Sequence, residues 1–165
     1  MSKVLSVDIE KCTGCRSCEL ACSMEHYGEY NPSKSMIRVS MFPEEAYAIP
    51  VSCPQCEDAF CERVCPTKAI TTTIDAESGA RVVKLSEDRC VGCKMCMLVC
   101  PFGNIFIGDK GYAVKCDLCG GDPECVKVCA AGALKFEEPE AAMMAKRKAL
   151  SELVLATLLT KKEEV

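Results

Sequence analysis

"CTGCRSCELAC", residues 12–22, sets Cys12, Cys15, Cys18 and Cys22 at intervals of three, three and four. The same spacing returns in "CVGCKMCMLVC", residues 90–100, with Cys90, Cys93, Cys96 and Cys100. Two further groups lengthen the second gap: "CPQCEDAFCERVC", residues 53–65, carries Cys53, Cys56, Cys61 and Cys65, and "CDLCGGDPECVKVC", residues 116–129, carries Cys116, Cys119, Cys125 and Cys129. The sixteen cysteines of the 165-residue chain therefore fall into four groups of four without remainder. This internal repeat, alternating short and stretched forms, is the organising feature of the sequence.

Three chemistries compete for the thiols. Disulfides belong to oxidising compartments, and the N-terminus has no apolar signal segment, so the thiols are expected to be reduced and the chain cytoplasmic. Zinc is the serious alternative, since C-x2-C pairs are its usual half-site and sixteen thiolates could build four such sites. Zinc pairs come in twos, however, whereas three cysteines in steps of three, then a fourth and a proline, as in residues 90–101, form the bacterial run for a 4Fe-4S cluster. A loop with a thiol at every third residue can wrap three corners of a cubane. The fourth corner lies beyond its reach, so the next cysteine turns to a neighbouring cluster. Sixteen thiolates complete four such clusters and leave neither an open iron nor a spare thiol. The expectation is a carrier of electrons with no catalytic site of its own.

Other chemistry is thin. With a net charge of −4 and scattered Lys and Arg, the chain lacks the basic stripe of a nucleic-acid binder, and protein partners are expected instead. His26 stands alone among polar neighbours and reads as a surface or helix-capping residue. "CGGDPEC" lies inside a ligand motif and reads as a turn rather than a phosphate loop. Lys11, Arg16, Arg89, Lys94 and Lys115 flank the cysteines, either to offset cluster charge or as ordinary solvated residues. Gly14 and Gly92 read either as letting the backbone approach the sulfurs closely and aim N–H groups at them or as ordinary turn glycines. Apolar residues are 49% of the chain but aromatics only 5%, with no Trp, which is lean for a carbon core.

Between the motifs, strands are predicted in "KVLSVDI" (3–9) and "MIRVSMF" (36–42). Hairpins are predicted in residues 71–85, with the turn at Asp75 to Gly79, and in residues 104–115. Residues following the third cysteine of each group are expected to start a brief helix that proline or glycine soon ends. After Pro139 the sequence has neither Gly nor Pro and sets Leu150, Leu153, Val154 and Leu158 on one face, predicting a helix of about five turns. Its apolar run is too short to cross a bilayer, and it suits packing on its own domain, a partner, or self-association with a second copy.

Across residues 1–136 the four motifs in this order, with "PVSCPQC" and "KCDLCGG" among their flanks, resemble the four-cluster iron–sulfur subunits of the dimethyl sulfoxide reductase superfamily. The short length and "FPEEAYAIPVSC" are most similar to the small subunits that accompany tungsten-dependent aldehyde ferredoxin oxidoreductase-type enzymes. The resemblance implies an α+β fold of two fused ferredoxin-like modules with short strands and helices: an outer one from 1–49 and 110–136, an inner one from 50–109, and a C-terminal amphipathic helix, 137–165. It also implies nested ligand sets: Cys12, Cys15, Cys18 with Cys129; Cys116, Cys119, Cys125 with Cys22; Cys53, Cys56, Cys61 with Cys100; and Cys90, Cys93, Cys96 with Cys65. Spacing alone permits a sequential exchange equally well. The implied role is electron transfer between a catalytic subunit containing tungsten or molybdenum and a ferredoxin or a flavin or NAD subunit. Carbon monoxide dehydrogenase, hydrogenase or formate dehydrogenase complexes, and a free polyferredoxin, are the alternatives. Proline follows the last cysteine of two motifs, as Pro66 and Pro101, while Ser23 and Ala130 replace it in the others.

Overall fold

Each cysteine motif opens as a loop and closes on a helix, and antiparallel strand pairs join the motifs. The computed structural model describes residues 3–144, 147, 148 and 150–152. Helices α1 (Ser17–Tyr27), α2 (Phe60–Arg63), α3 (Met95–Val99) and α4 (Glu124–Lys127) each begin one residue before the third cysteine of their motif. Three of them are a turn or little more. The fourth cysteine thus leaves on or just after a helix whose start holds the third.

Proline explains part of the difference in length. A proline lacks the N–H that a continuing helix needs, and α2 and α3 end before Pro66 and Pro101. Ser23 has no such defect: its Oγ donates to Leu20 O at 3.0 Å and accepts from Asn31 N at 3.0 Å. There α1 runs on to Tyr27, and Gly28, at a φ of 68°, ends it by donating to Met24 O.

Among the described residues, eight strands form four two-stranded antiparallel sheets. β2 (Arg38–Phe42) pairs with β3 (Tyr47–Val51), β4 (Ile70–Ile74) with β5 (Arg81–Leu85), and β6 (Ile105–Ile107) with β7 (Ala113–Lys115). The β4–β5 turn falls where expected: Asp75 Oδ2 accepts from Ser78 N and Oγ, both at 2.6 Å, and Gly79 N donates to Asp75 O at 3.0 Å. The remaining pair joins the two ends of the cysteine region. β1 (Val4–Val7) lies against β8 (Leu134–Glu137) with Val4 opposite Glu137 and Val7 opposite Leu134.

Small apolar side chains and cysteines share the interior. One core gathers Ala59, Ile70, Val83, Cys96, Ile105 and Ala113, with Cys61, Cys65, Cys90 and Cys100 against it. A second gathers Cys18, Cys22, Ile37, Cys125 and Leu134, with Leu5, Val7 and Cys129 against it. α1 packs on α4 and α2 on α3. The architecture is α+β, mixed short helices and small antiparallel sheets. Beyond β8, residues 139–144, 147, 148 and 150–152 are helical, and Ala142 N donates to Glu138 O, which puts Pro139 in the first turn. Leu150 is exposed; Leu153, Val154 and Leu158 of the expected apolar face lie outside the described residues. Among the described residues no helix is long and apolar enough to cross a membrane.

Candidate metal centres

The sequence repeat is also a backbone repeat. The second residue after each motif's first cysteine takes a left-handed conformation: Gly14 (φ 69°), Gln55 (51°), Gly92 (66°) and Leu118 (56°). That reversal folds the loop back so that consecutive thiols face one space. Gly92 is bound to it twice, because a Cβ there would lie 2.3 Å from the backbone oxygen of Gly111. After the fourth cysteines, Lys68, Gly103 and Gly132 are left-handed as well, and each donates its N–H to the carbonyl of Cys65, Cys100 or Cys129 at 3.0–3.2 Å.

Among the described residues, recesses are found that are lined by four thiols each. One holds Cys53, Cys56, Cys61 and Cys100; one holds Cys65, Cys90, Cys93 and Cys96; one holds Cys12, Cys15, Cys18 and Cys129. Every recess draws three thiols from one motif and the fourth from another. The remaining cysteines, Cys22, Cys116, Cys119 and Cys125, line none of these three recesses; α1, which carries Cys22, packs on α4, which carries Cys125, and burial and the neighbouring charges of Cys119, Cys22 and Cys18 push the Cys125 thiol up to about 12.

Burial likewise pushes Cys18 and Cys119 up to about 11, and Cys116 higher still. Desolvation disfavours the thiolate, so these thiols are protonated at neutral pH unless a cation takes them. A metal cluster does so and releases their protons on binding. Backbone N–H groups already point at sulfur: Met36 N to Cys22 at 3.3 Å, Ala69 N to Cys65 at 3.2 Å, Ala113 N to Cys90 at 3.5 Å, Leu118 N to Cys116 at 3.5 Å and Leu134 N to Cys129 at 3.4 Å. Soft thiolate donors in fours, with N–H groups aimed at them, fit an iron–sulfur cluster.

Some neighbours were not legible in the sequence. Of the five flanking cations, Lys11, Arg16, Arg89 and Lys94 are exposed, whereas Lys115 is 4% exposed and lines the recess of Cys53. His26 is not a free surface residue; its Nε2 stands 3.7 Å from Cys119 Sγ and 3.5 Å from Asp117 Oδ1. Gln55 bridges two motifs, donating to Cys116 O at 2.8 Å and accepting from Val83 N at 2.9 Å.

Two family models described as "4Fe-4S dicluster domain" match residues 52–104 and 11–70. Among the relatives, the aliphatic sulfonate oxidoreductase polyferredoxin-like subunit of Pyrococcus furiosus is 45% identical over 73% of this chain and 67% of its own. A ferredoxin of Methanocaldococcus jannaschii is 35% identical over 89% and 79%. Formate hydrogenlyase subunit 2 of Escherichia coli is 33% identical over 90% and 88%.

Proposed function

This chain belongs to the 4Fe-4S dicluster family of iron–sulfur electron-transfer proteins, and from that premise we propose that it relays single electrons through four clusters. The relay runs between a catalytic oxidoreductase subunit, containing tungsten or molybdenum, and a ferredoxin or a flavin- or NAD-binding partner. The observation that carries the reading is the grouping of twelve thiols in three recesses, four to a recess and three-plus-one by motif, and the remaining four cysteines complete a fourth set of the same pattern.

The proposed ligand sets are Cys12, Cys15, Cys18 and Cys129; Cys116, Cys119, Cys125 and Cys22; Cys53, Cys56, Cys61 and Cys100; and Cys90, Cys93, Cys96 and Cys65. Each cluster, when bound, takes up and gives back one electron. The chain's own work is to hold the thiols, exclude water and link one site to the next. α1 carries Cys18 and Cys22 and so spans the first two sets, as α2 and α3, with the cysteines that follow them, span the last two. Gln55 and Lys115, both bonded to Cys116 O, sit at the junction between. Exposed Cys15 and Cys93 bring the first and last sets to the surface, where a partner can exchange electrons. The modules we assign are 1–49 with 110–136, and 50–109, with Ala113 of β7 packed across onto the inner core.

The names of the sulfonate oxidoreductase and formate hydrogenlyase relatives support a place in an oxidoreductase complex; the tungsten or molybdenum partner and the cytoplasmic setting rest on the sequence resemblance. Anaerobic purification of the chain with its native complex tests this. The expected result is a catalytic subunit containing tungsten or molybdenum, whose substrate reduces the chain's clusters. A chain that elutes alone and takes no electrons from any such subunit would make it a free polyferredoxin.

A further inference from the structure

Lys115 is the one lysine or arginine that is buried among the described residues. Its ammonium donates to Val83 O and, at 2.6 Å, to Cys116 O, and no carboxylate pairs with it among those residues. An unpaired charge in a protein interior is costly, so such a group needs a negative neighbour. The recess it lines contains Cys53, Cys56, Cys61 and Cys100, four groups that are thiolates once ligated. Burial raises the Cys53 and Cys61 thiols, and the nearby Lys115 charge opposes that rise. The cation thus stands against one ligand set and, through Cys116 O, touches the backbone of a second.

We propose that Lys115 is a positioning cation that raises the reduction potential of the cluster in the Cys53, Cys56, Cys61 and Cys100 set and so fixes where an electron rests along the relay. A fixed positive charge in a low-dielectric interior favours the more negative, reduced state. One electron arrives from a one-electron donor; the ammonium keeps its hydrogens and no bond is made or broken. The role is distinct from that of the exposed flanking cations, whose fields water and salt screen.

The inference rests on the four-cluster reading, and the test separates the two. Holoprotein carrying Lys115→Met is titrated with dithionite and redox mediators under electron paramagnetic resonance. One midpoint should fall so that the reduction equilibrium shifts about tenfold, or about 59 mV for one electron. The set joined through Cys116 should move less, and the two sets at the exposed ends should hold. Lys115→Arg should stay near the parent value. Unmoved potentials at full iron content, or an equal shift in all four, would overturn the inference alone; low iron in the unmodified chain would overturn the four-cluster reading. Should Lys115→Met fail to retain iron, the unmodified holoprotein labelled with 15Nζ-lysine decides. Pulsed resonance should detect a nitrogen coupled to a reduced cluster, and absence of that coupling rejects the proposal.

Discussion

Gly92 and Gly14 occupy the same motif position, and both are left-handed, yet what a side chain would meet differs. At Gly92 the obstacle is the backbone oxygen of Gly111; at Gly14 it is the end of the Met41 side chain, 2.8 Å away, which can swing aside, and the Ala48 Cβ at 3.1 Å, which need give only a few tenths of an ångström. Gly92→Ala should therefore destabilise by about 2–3 kcal/mol and Gly14→Ala by about 1 kcal/mol. Iron should leave the Cys65, Cys90, Cys93 and Cys96 recess first in the Gly92 variant. Denaturant midpoints and iron content check this, and equal losses in the two variants would contradict it. A left-handed turn at these glycines was readable in the sequence; the expected approach to sulfur is instead an approach to the Gly111 carbonyl and to the Met41 side chain. That Gln55 and Leu118 adopt the same backbone state was not readable, since a left-handed residue other than glycine leaves no compositional mark. The burial of Lys115 and the approach of His26 to Cys119 were hidden for another reason. Both depend on contacts across the fold that neighbours in sequence do not report.

Helices and hairpins differ in how far local sequence determined them. The β4–β5 hairpin was legible because β-branched residues, Thr71–Ile74 and Val82–Val83, flank an Asp-to-Gly turn, and the β6–β7 hairpin because its strands flank "GDKG". β3 went unread, since Pro50 interrupts an apolar run and obscures a strand. The β1–β8 pair leaves no local trace at all, because its partners stand more than a hundred residues apart. The lengths of the helices, in contrast, follow partly from one residue after the fourth cysteine. Ser23→Pro should break α1 by removing an internal N–H and the Oγ contact to Asn31, at a cost of about 3 kcal/mol. Pro66→Ala should change stability by less than about 1 kcal/mol. Thermal unfolding of the two variants against the parent measures the difference, and a harmless Ser23→Pro would refute this account of α1.

For the whole molecule, the chief question is what fills the interior. Cysteines stand among the buried residues of both cores, and their buried apolar partners are aliphatic, with no aromatic among those described. Clusters complete such a core, so the domain's folding is tied to iron. Anaerobic chelation should abolish the cooperative unfolding transition seen by circular dichroism, and a chelated chain that kept it would show that the thiols are dispensable to the fold. Because the last cysteine is Cys129, deletion of residues 139–165 should leave iron content unchanged, and any loss of partner binding would assign docking to that segment. The cysteine repeat made the cluster chemistry legible from sequence, while the order in which distant thiols meet needed the fold. Iron and acid-labile sulfide analysis with Mössbauer spectroscopy, on anaerobically purified chain, bears most directly on the four-cluster relay. The expected result is about sixteen irons per chain, all in all-cysteine 4Fe-4S clusters. About eight irons, stoichiometric zinc, or one iron spectroscopically apart from its neighbours would contradict it.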